Sequence, residues 1–179
     1  MEARECIKGR RSIRKYSDKP VDKALIEEIV ETASYAPSWK HSQTIRYIAV
    51  TGELKHKLAT ECFTSFPGNG AIIDQAPWAI LMTGIKGRSG LERDGSPTNR
   101  RGATWQMYDA GCAGEAFCLA AYEKGLGTVI MGIFDEDSIV KLLEIPDDRE
   151  LIAITPLGYP DDAPQAPKRK TVEELLEFK

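Results

Sequence analysis

Arg10-Arg11-Ser12-Ile13-Arg14 places three guanidinium groups and a hydroxyl within five residues. Guanidinium forks match phosphate oxygens two hydrogen bonds at a time, and a serine hydroxyl adds a donor at the same place. The first sixteen residues carry Arg4, Lys8, Arg10, Arg11, Arg14 and Lys15 against only Glu2 and Glu5. A second basic run, Lys168-Arg169-Lys170, lies near the other end of the chain. Either cluster alone also reads as solvated surface charge.

Other chemistries are missing. The only histidines are His41 and His56, so there is no H-E-x-x-H metal motif. Cys6, Cys62, Cys112 and Cys118 contain no C-x-x-C pair, and no metal site is expected. Gly125, Gly127 and Gly132 have the wrong spacing for a dinucleotide fingerprint and follow a helix. Gly132 is followed by Ile133 and Phe134, not by the lysine and hydroxyl of a P-loop. No G-x-S-x-G elbow supports a nucleophilic serine, and no carboxylate pair stands out. No side chain is expected to be catalytic; an enzyme of this kind leaves the hard step to a cofactor.

Elements must position the basic clusters. After Pro20, Leu25, Ile26, Ile29, Val30 and Ala33 recur at helical spacing, with Asp22 as the predicted cap and Pro37 as the stop. A strand is expected over 47–51 and a short helix over 54–62. Pro67-Gly68-Asn69-Gly70 has turn composition and is expected to be a loop. Residues 78–83 are apolar throughout, as in a buried strand. Residues 84–103 hold five glycines, five bases and two acids without an apolar period, the pattern of a mobile loop or lid. The longest predicted helix spans 104–124 and is apolar almost all round, so it belongs at the centre. Gly111 and Gly114 thin one patch of it, and Gly125 ends it. Residues 129–133 read as strand or loop. Asp135 is the predicted cap of a helix through Leu143, with Phe134 stapled to Ile139. A strand over 151–157 precedes an extended, proline-rich tail from Pro160, and Thr171 with Glu174 forms a capping box. Strands and helices do not strictly alternate, which favours an α+β fold.

Four stretches, in order, resemble the FMN-dependent nitroreductase family. They are Arg10–Arg14; Ala36-Pro37-Ser38-Trp39-Lys40-His41-Ser42-Gln43; the helix from Asp109-Ala110-Gly111 to Gly125-Leu126-Gly127 with Met131-Gly132 beyond; and Pro156-Leu157-Gly158-Tyr159-Pro160 followed by Lys168-Arg169-Lys170. The resemblance implies a central, mostly antiparallel sheet flanked by helices, with FMN at a homodimer interface. It implies that Arg10, Arg11 and Ser12 meet Lys168 and Lys170 on the FMN phosphate. Two like-charged clusters repel unless an anion sits between them. Arg14 then approaches the pyrimidine edge, where a cation favours the anionic reduced ring. Pro37, Ser38 and Trp39 reach across from the partner onto the ring, and Gln43 bonds the ribityl hydroxyls. Asn69 faces the pyrimidine, and Met131 and Gly132 present backbone N–H groups to N5 and O4. Plainer readings stand beside these: a left-handed turn for Asn69, a core aromatic for Trp39, an ion pair with Glu2 or Glu5 for Arg14. The chain departs from the family at His41, where most relatives have Asn, and at Thr44-Ile45, where they have Pro-Trp.

The 179 residues suit a single domain, 1–179, with the tail over 160–179. Net charge −3 argues against a nucleic-acid partner, and no apolar run is long enough to span a membrane. The charged start is not that of a signal peptide, and a cytoplasmic home with reduced thiols is expected. The resemblance implies an oxidoreductase that takes electrons from NADH or NADPH. It would pass them to nitroaromatics, quinones or similar small conjugated acceptors by a ping-pong mechanism. Reductive dehalogenation or dehydrogenation on the same fold, and non-catalytic flavin binding, are the alternatives.

Overall fold

The apolar run at Trp78 becomes β2 (Trp78–Ile85), two residues longer than its composition predicts. The computed structural model, which describes residues 1–179, sets β2 between β1 (Ile45–Val50) and β4 (Arg149–Gly158). β3 (Gly127–Thr128) pairs on the far side of β4, giving the order β1-β2-β4-β3. Every strand pair is antiparallel.

Alternate β2 side chains feed two separate cores. Ala79 and Leu81 join Leu58, Phe63, Ile73, Ile139 and Ile154 on one face. That face is covered by α3 (Gly52–Glu61), α4 (Pro67–Gln75) and α6 (Glu136–Leu142). Trp78 and Ile80 join Ile26, Ile29, Phe117, Ala121 and Leu157 on the other. There α2 (Lys23–Ala33) packs against α5 (Trp105–Glu123). An antiparallel sheet covered on both faces explains why β2 lacks the polar alternation of a half-exposed strand.

α5 ends one residue inside each predicted bound, and Gly125 takes the left-handed conformation (φ 77°) that a C′ position requires. Three expectations change. Asp22 precedes α2 as predicted, but its side chain makes no cap bond. Pro67-Gly68-Asn69-Gly70 is the first turn of α4 rather than a loop, because proline at the helix start lacks only an N–H that would have no intrahelical partner. The Asp135 carboxylate accepts the Thr64 N–H and the Thr64 and Ser65 hydroxyls instead of capping α6. The sequence reading also passed over α1 (Ala3–Gly9), which buries only Cys6. The tail runs without regular structure to the capping box of α7 (Val172–Leu175).

α3 and α4 are clasped by a buried lysine. Lys55 Nζ donates to the Ile73 and Asp74 carbonyls at the α4 C-terminus and lies 3.5 Å from the Asp74 carboxylate. His56 Nδ1 meets that carboxylate at 3.0 Å. Partial burial pushes the Asp74 carboxyl up, but hydrogen bonding and charge from His56 and Lys55 outweigh it and hold it below the usual carboxylate range. A carboxyl depressed in the folded state contributes stability above its unfolded pKa and loses it as pH falls through the folded value. Asp74→Asn therefore flattens the acid limb of stability. Urea midpoints between about pH 5 and pH 2 check this, and parallel curves for wild type and variant count against it.

Candidate functional site

The arginine segment leaves α1 and crosses the sheet edge. Ile13 N–H donates to the Thr128 carbonyl at 2.9 Å, and Ser12 bridges Thr128 in parallel. Beyond it, Ser17 N–H donates to the Tyr159 carbonyl and Asp161 N–H to the Lys15 carbonyl, each at 3.0 Å. The two ends of the chain thus meet where β4 becomes the tail. Arg11 folds back and donates to the Lys8, Gly9 and Arg10 carbonyls, where a cation suits the negative end of α1. Arg10 is half-buried, with Nε 3.6 Å from Glu115 on α5. That Nε is inaccessible and makes no hydrogen bond. Arg14 is exposed, its guanidinium reaching only the Ser12 carbonyl at 3.4 Å. Lys168, Arg169 and Lys170 are exposed on the tail and form no side-chain hydrogen bond or ion pair with the arginine segment. Lys168 lies seven positions beyond Asp161, an extended reach of about 25 Å.

Close backbone approach makes this crossing. A Cβ at Gly127 would meet Ile13 side-chain carbons at 2.7–2.9 Å. Gly127→Val should force Ser12 and Ile13 off the strand edge and destabilise the fold by about 1–3 kcal/mol, the usual range for overpacking. Chemical denaturation measures the loss; an unchanged midpoint would show that the segment is held elsewhere.

A second corner lies between α2 and β1. Trp39 N–H donates to the Asp109 carboxylate at 2.9 Å, and its half-buried ring packs on Trp105 with centroids 4.7 Å apart. Trp39 is therefore not the fully buried core aromatic of the plainer reading. Ser38 Oγ accepts the Gln43 N–H at 3.1 Å, closing the turn. Lys40, His41 and Gln43 all have left-handed φ, at 44°, 55° and 46°. Pro37, Ser38 and Gln43 border a cavity of about 700 Å3 floored by Tyr47, Ile80 and Ala113.

A third corner joins two predicted contacts. Asn69, in the first turn of α4 and without positive φ, donates through Nδ2 to the Ile133 carbonyl at 3.1 Å. The left-handed-turn alternative for Asn69 is therefore wrong. Met131 is buried and exchanges hydrogen bonds with Ile154 at 2.8 and 3.0 Å, so its side chain faces the core. Gly132 and Ile133 are exposed, and their N–H groups have no backbone partner. One stretch, 127–133, therefore carries the arginine crossing at one end and free N–H donors at the other. The structure brings Asn69 to that stretch, and α5 tethers the remaining corner. Asp109 holds the Trp39 turn and Glu115 holds Arg10, six residues or about 9 Å apart along the helix.

Burial pushes the Cys6, Cys62 and Cys118 thiols up, which disfavours the nucleophilic thiolate. Asp109 and Glu115 went unread as site residues in the sequence. Their only signal was an acid on an otherwise apolar helix.

An antiparallel four-stranded sheet with helices on both faces, and with a basic crossing and unpaired N–H groups along one edge, makes this an α+β protein. The chain belongs to the nitroreductase family, whose model matches residues 7–159, and it is an oxidoreductase of that family. A solved FMN-dependent nitroreductase from Clostridium difficile R20291 superimposes with TM-score 0.77 at 27% identity, covering 97% of this chain and 96% of that one. A nitroreductase family protein from Clostridium novyi NT gives TM-score 0.77 at 28% identity over 93% and 89%. The NAD(P)H-dependent FMN reductase of Bacillus subtilis strain 168 is 28% identical over 90% of this chain and 67% of its own length. No helix is long and apolar enough to cross a membrane.

Proposed function

We propose that the chain binds FMN at the interface of a homodimer and uses NADH or NADPH to reduce nitroaromatics, quinones or similar conjugated acceptors. One observation carries this reading. The half-buried Arg10 guanidinium makes no hydrogen bond within the chain, beside Ser12 and at the head of the stretch that carries the free N–H groups of Gly132 and Ile133. The Nε faces Glu115 inside the protein, which leaves the terminal nitrogens of the fork to meet an anionic ligand. The donor set fits a phosphate at one end and a heterocycle edge at the other.

In this reading Arg10, Arg11 and Ser12 hold the phosphate, together with Lys168 and Lys170 brought in by a tail. Arg14 places a cation beside the ring edge that gains negative charge. Gly132 and Ile133 set backbone donors along the ring; Met131, expected to be a donor as well, spends its N–H on the Ile154 carbonyl and instead anchors the pair, and Asn69 fixes that loop. Pro37, Ser38 and Trp39 close over the ring, with Gln43 toward the ribityl chain. When bound, the flavin supplies two-electron transfer from the nicotinamide to an acceptor occupying the same place in turn. The protein's part is to orient, to exclude water and to tune, without a side-chain acid or base.

A second copy is supported by unpartnered apolar surface. Met107 and Tyr108 on α5, Ile130 beside it, Ile133 next to α4, and Leu175, Leu176 and Phe178 on the tail are all exposed. Four free cysteines suit a reducing cytoplasm. In the loop after β2 both acids are engaged, Glu92 by Lys40 at 3.1 Å and Asp94 by Ser96 at 2.6 Å. Arg88, Arg93, Arg100 and Arg101 remain exposed there, a field that attracts the phosphates of NAD(P)H or an anionic acceptor.

The test is reconstitution. Flavin-free protein titrated with FMN should quench flavin fluorescence, and NADH or NADPH should then support turnover of a nitroarene and a quinone with parallel double-reciprocal lines. Failure to retain FMN ends the reading; bound FMN that NAD(P)H never bleaches leaves a flavin-binding protein without this activity.

A further inference from the structure

We infer that Asp109 is a positioning residue, a buried carboxylate that holds the turn at Trp39 and the arginine-rich loop after β2 in one arrangement. The inference rests on the reading above, in which that turn borders the flavin.

Asp109 sits in the second turn of α5, only 2% exposed, and pairs with no cation. A buried carboxylate without a counter-charge is unfavourable unless its oxygens are well supplied with donors. It has three. Trp39 N–H and the Ser42 hydroxyl come from the turn, at 2.9 and 3.4 Å. The Ser89 hydroxyl comes from the loop, at 2.7 Å. The other buried polar side chain of α5, Gln106, is committed to Glu150 at 2.9 Å. A carboxylate in an apolar helix adds nothing to packing, so its position calls for another account.

The turn supplies one. Three non-glycine residues with left-handed φ lie within Lys40–Gln43, and such clusters persist only where the surroundings over-determine them. Asp109 bonds the residue on each side of the Lys40-His41 pair. The bonds within the turn, from Gln43 N–H to Ser38 Oγ and from Ser42 N–H to the Trp39 carbonyl, close it on itself without fixing it to the helix or the loop. The Lys40–Glu92 pair is solvent-exposed and contributes little by itself. The Trp39–Trp105 ring contact also joins the turn to α5, but it reaches neither Ser42 nor the loop at Ser89. Without the carboxylate, two hydroxyls and one N–H lose their acceptor at once, the strain relaxes, and the loop parts from the turn.

Limited trypsin digestion of flavin-free protein reads this directly, because Lys86, Arg88, Arg93, Arg100 and Arg101 are the cleavage points of the loop. Asp109→Ala should be cut there about ten-fold faster than wild type, the population change that losing hydrogen bonds to a charged group produces. Asp109→Asn, which keeps the shape and one acceptor oxygen, should fall between them. Ser89→Ala frees the loop alone and should also speed cleavage. On reconstituted protein, Asp109→Ala should raise KM for the acceptor more than it lowers kcat and weaken FMN binding less than loss of Arg10 and Ser12 does, since the phosphate contacts remain. Loop cleavage at the wild-type rate in both Asp109→Asn and Ser89→Ala overturns the inference, even if Asp109→Ala fails to fold. A wild type that takes no FMN ends the flavin reading instead, and the digestion result separates the two failures.

Discussion

Replacing Arg10 and Ser12 together with alanine weakens FMN binding by a factor on the order of one hundred to one thousand while the flavin-free protein stays folded. The size follows from the bonds removed. Hydrogen bonds to a charged group contribute about 1.5–3 kcal/mol each, and a factor of ten needs about 1.4 kcal/mol. The fold tolerates the change because the Arg10–Glu115 pair, at 3.6 Å and partly exposed, contributes little. Removing the partnerless Nε also relieves a buried donor. Stability without flavin should therefore stay level or rise slightly, while the rise in Tm that FMN gives wild type disappears. Flavin fluorescence titration and thermal melts with and without FMN read the two effects separately. FMN retention equal to wild type would remove the phosphate assignment. A collapse of the flavin-free protein would mean that the segment is structural instead.

What the sequence discloses differs by element. α5 was legible almost to the residue, because nineteen residues of near-continuous apolar character end at a glycine with φ 77°. β2 was legible because an apolar run between two glycine-bearing segments has few other homes. α1 was not, since its charges carry no apolar period and it buries only Cys6. The start of α4 misled for a physical reason. Pro67 and Gly70 are turn residues by composition, yet Gly70 lets α4 approach the Ala59 carbonyl of α3, where a Cβ would collide. Composition there serves helix packing rather than a turn. The site shows the same split. The arginine motif is local and could be read directly. The role of Asp109 could not, because its donors lie 70, 67 and 20 residues away in sequence. Nor could the freedom of the Gly132 N–H, which depends on Met131 being taken up by Ile154.

Phe117→Ala should cost about 3–5 kcal/mol, the usual loss for truncating a buried aromatic. Phe117 is 2% exposed and sits where α2, α5 and β2 meet, among Ile29, Ile80 and Leu157. Its ring stacks on Tyr47 of β1 with centroids 5.3 Å apart, and the Tyr47 hydroxyl donates to the Ala113 carbonyl one turn back along α5. The residues around the ring come from separate elements already fixed by sheet pairing, so they collapse only partly into the space left behind. α5 is also the element from which Asp109 and Glu115 reach the two corners of the site. Loosening its seat should therefore raise FMN Kd by more than a surface change would, even in the fraction that remains folded. Urea denaturation gives the stability loss, and titration at low urea gives the affinity. A loss below about 1 kcal/mol would mean the core closes around the missing ring. A full loss with FMN affinity unchanged would mean that the site is held by the sheet edge at Thr128 and Met131, not by the helix beneath it.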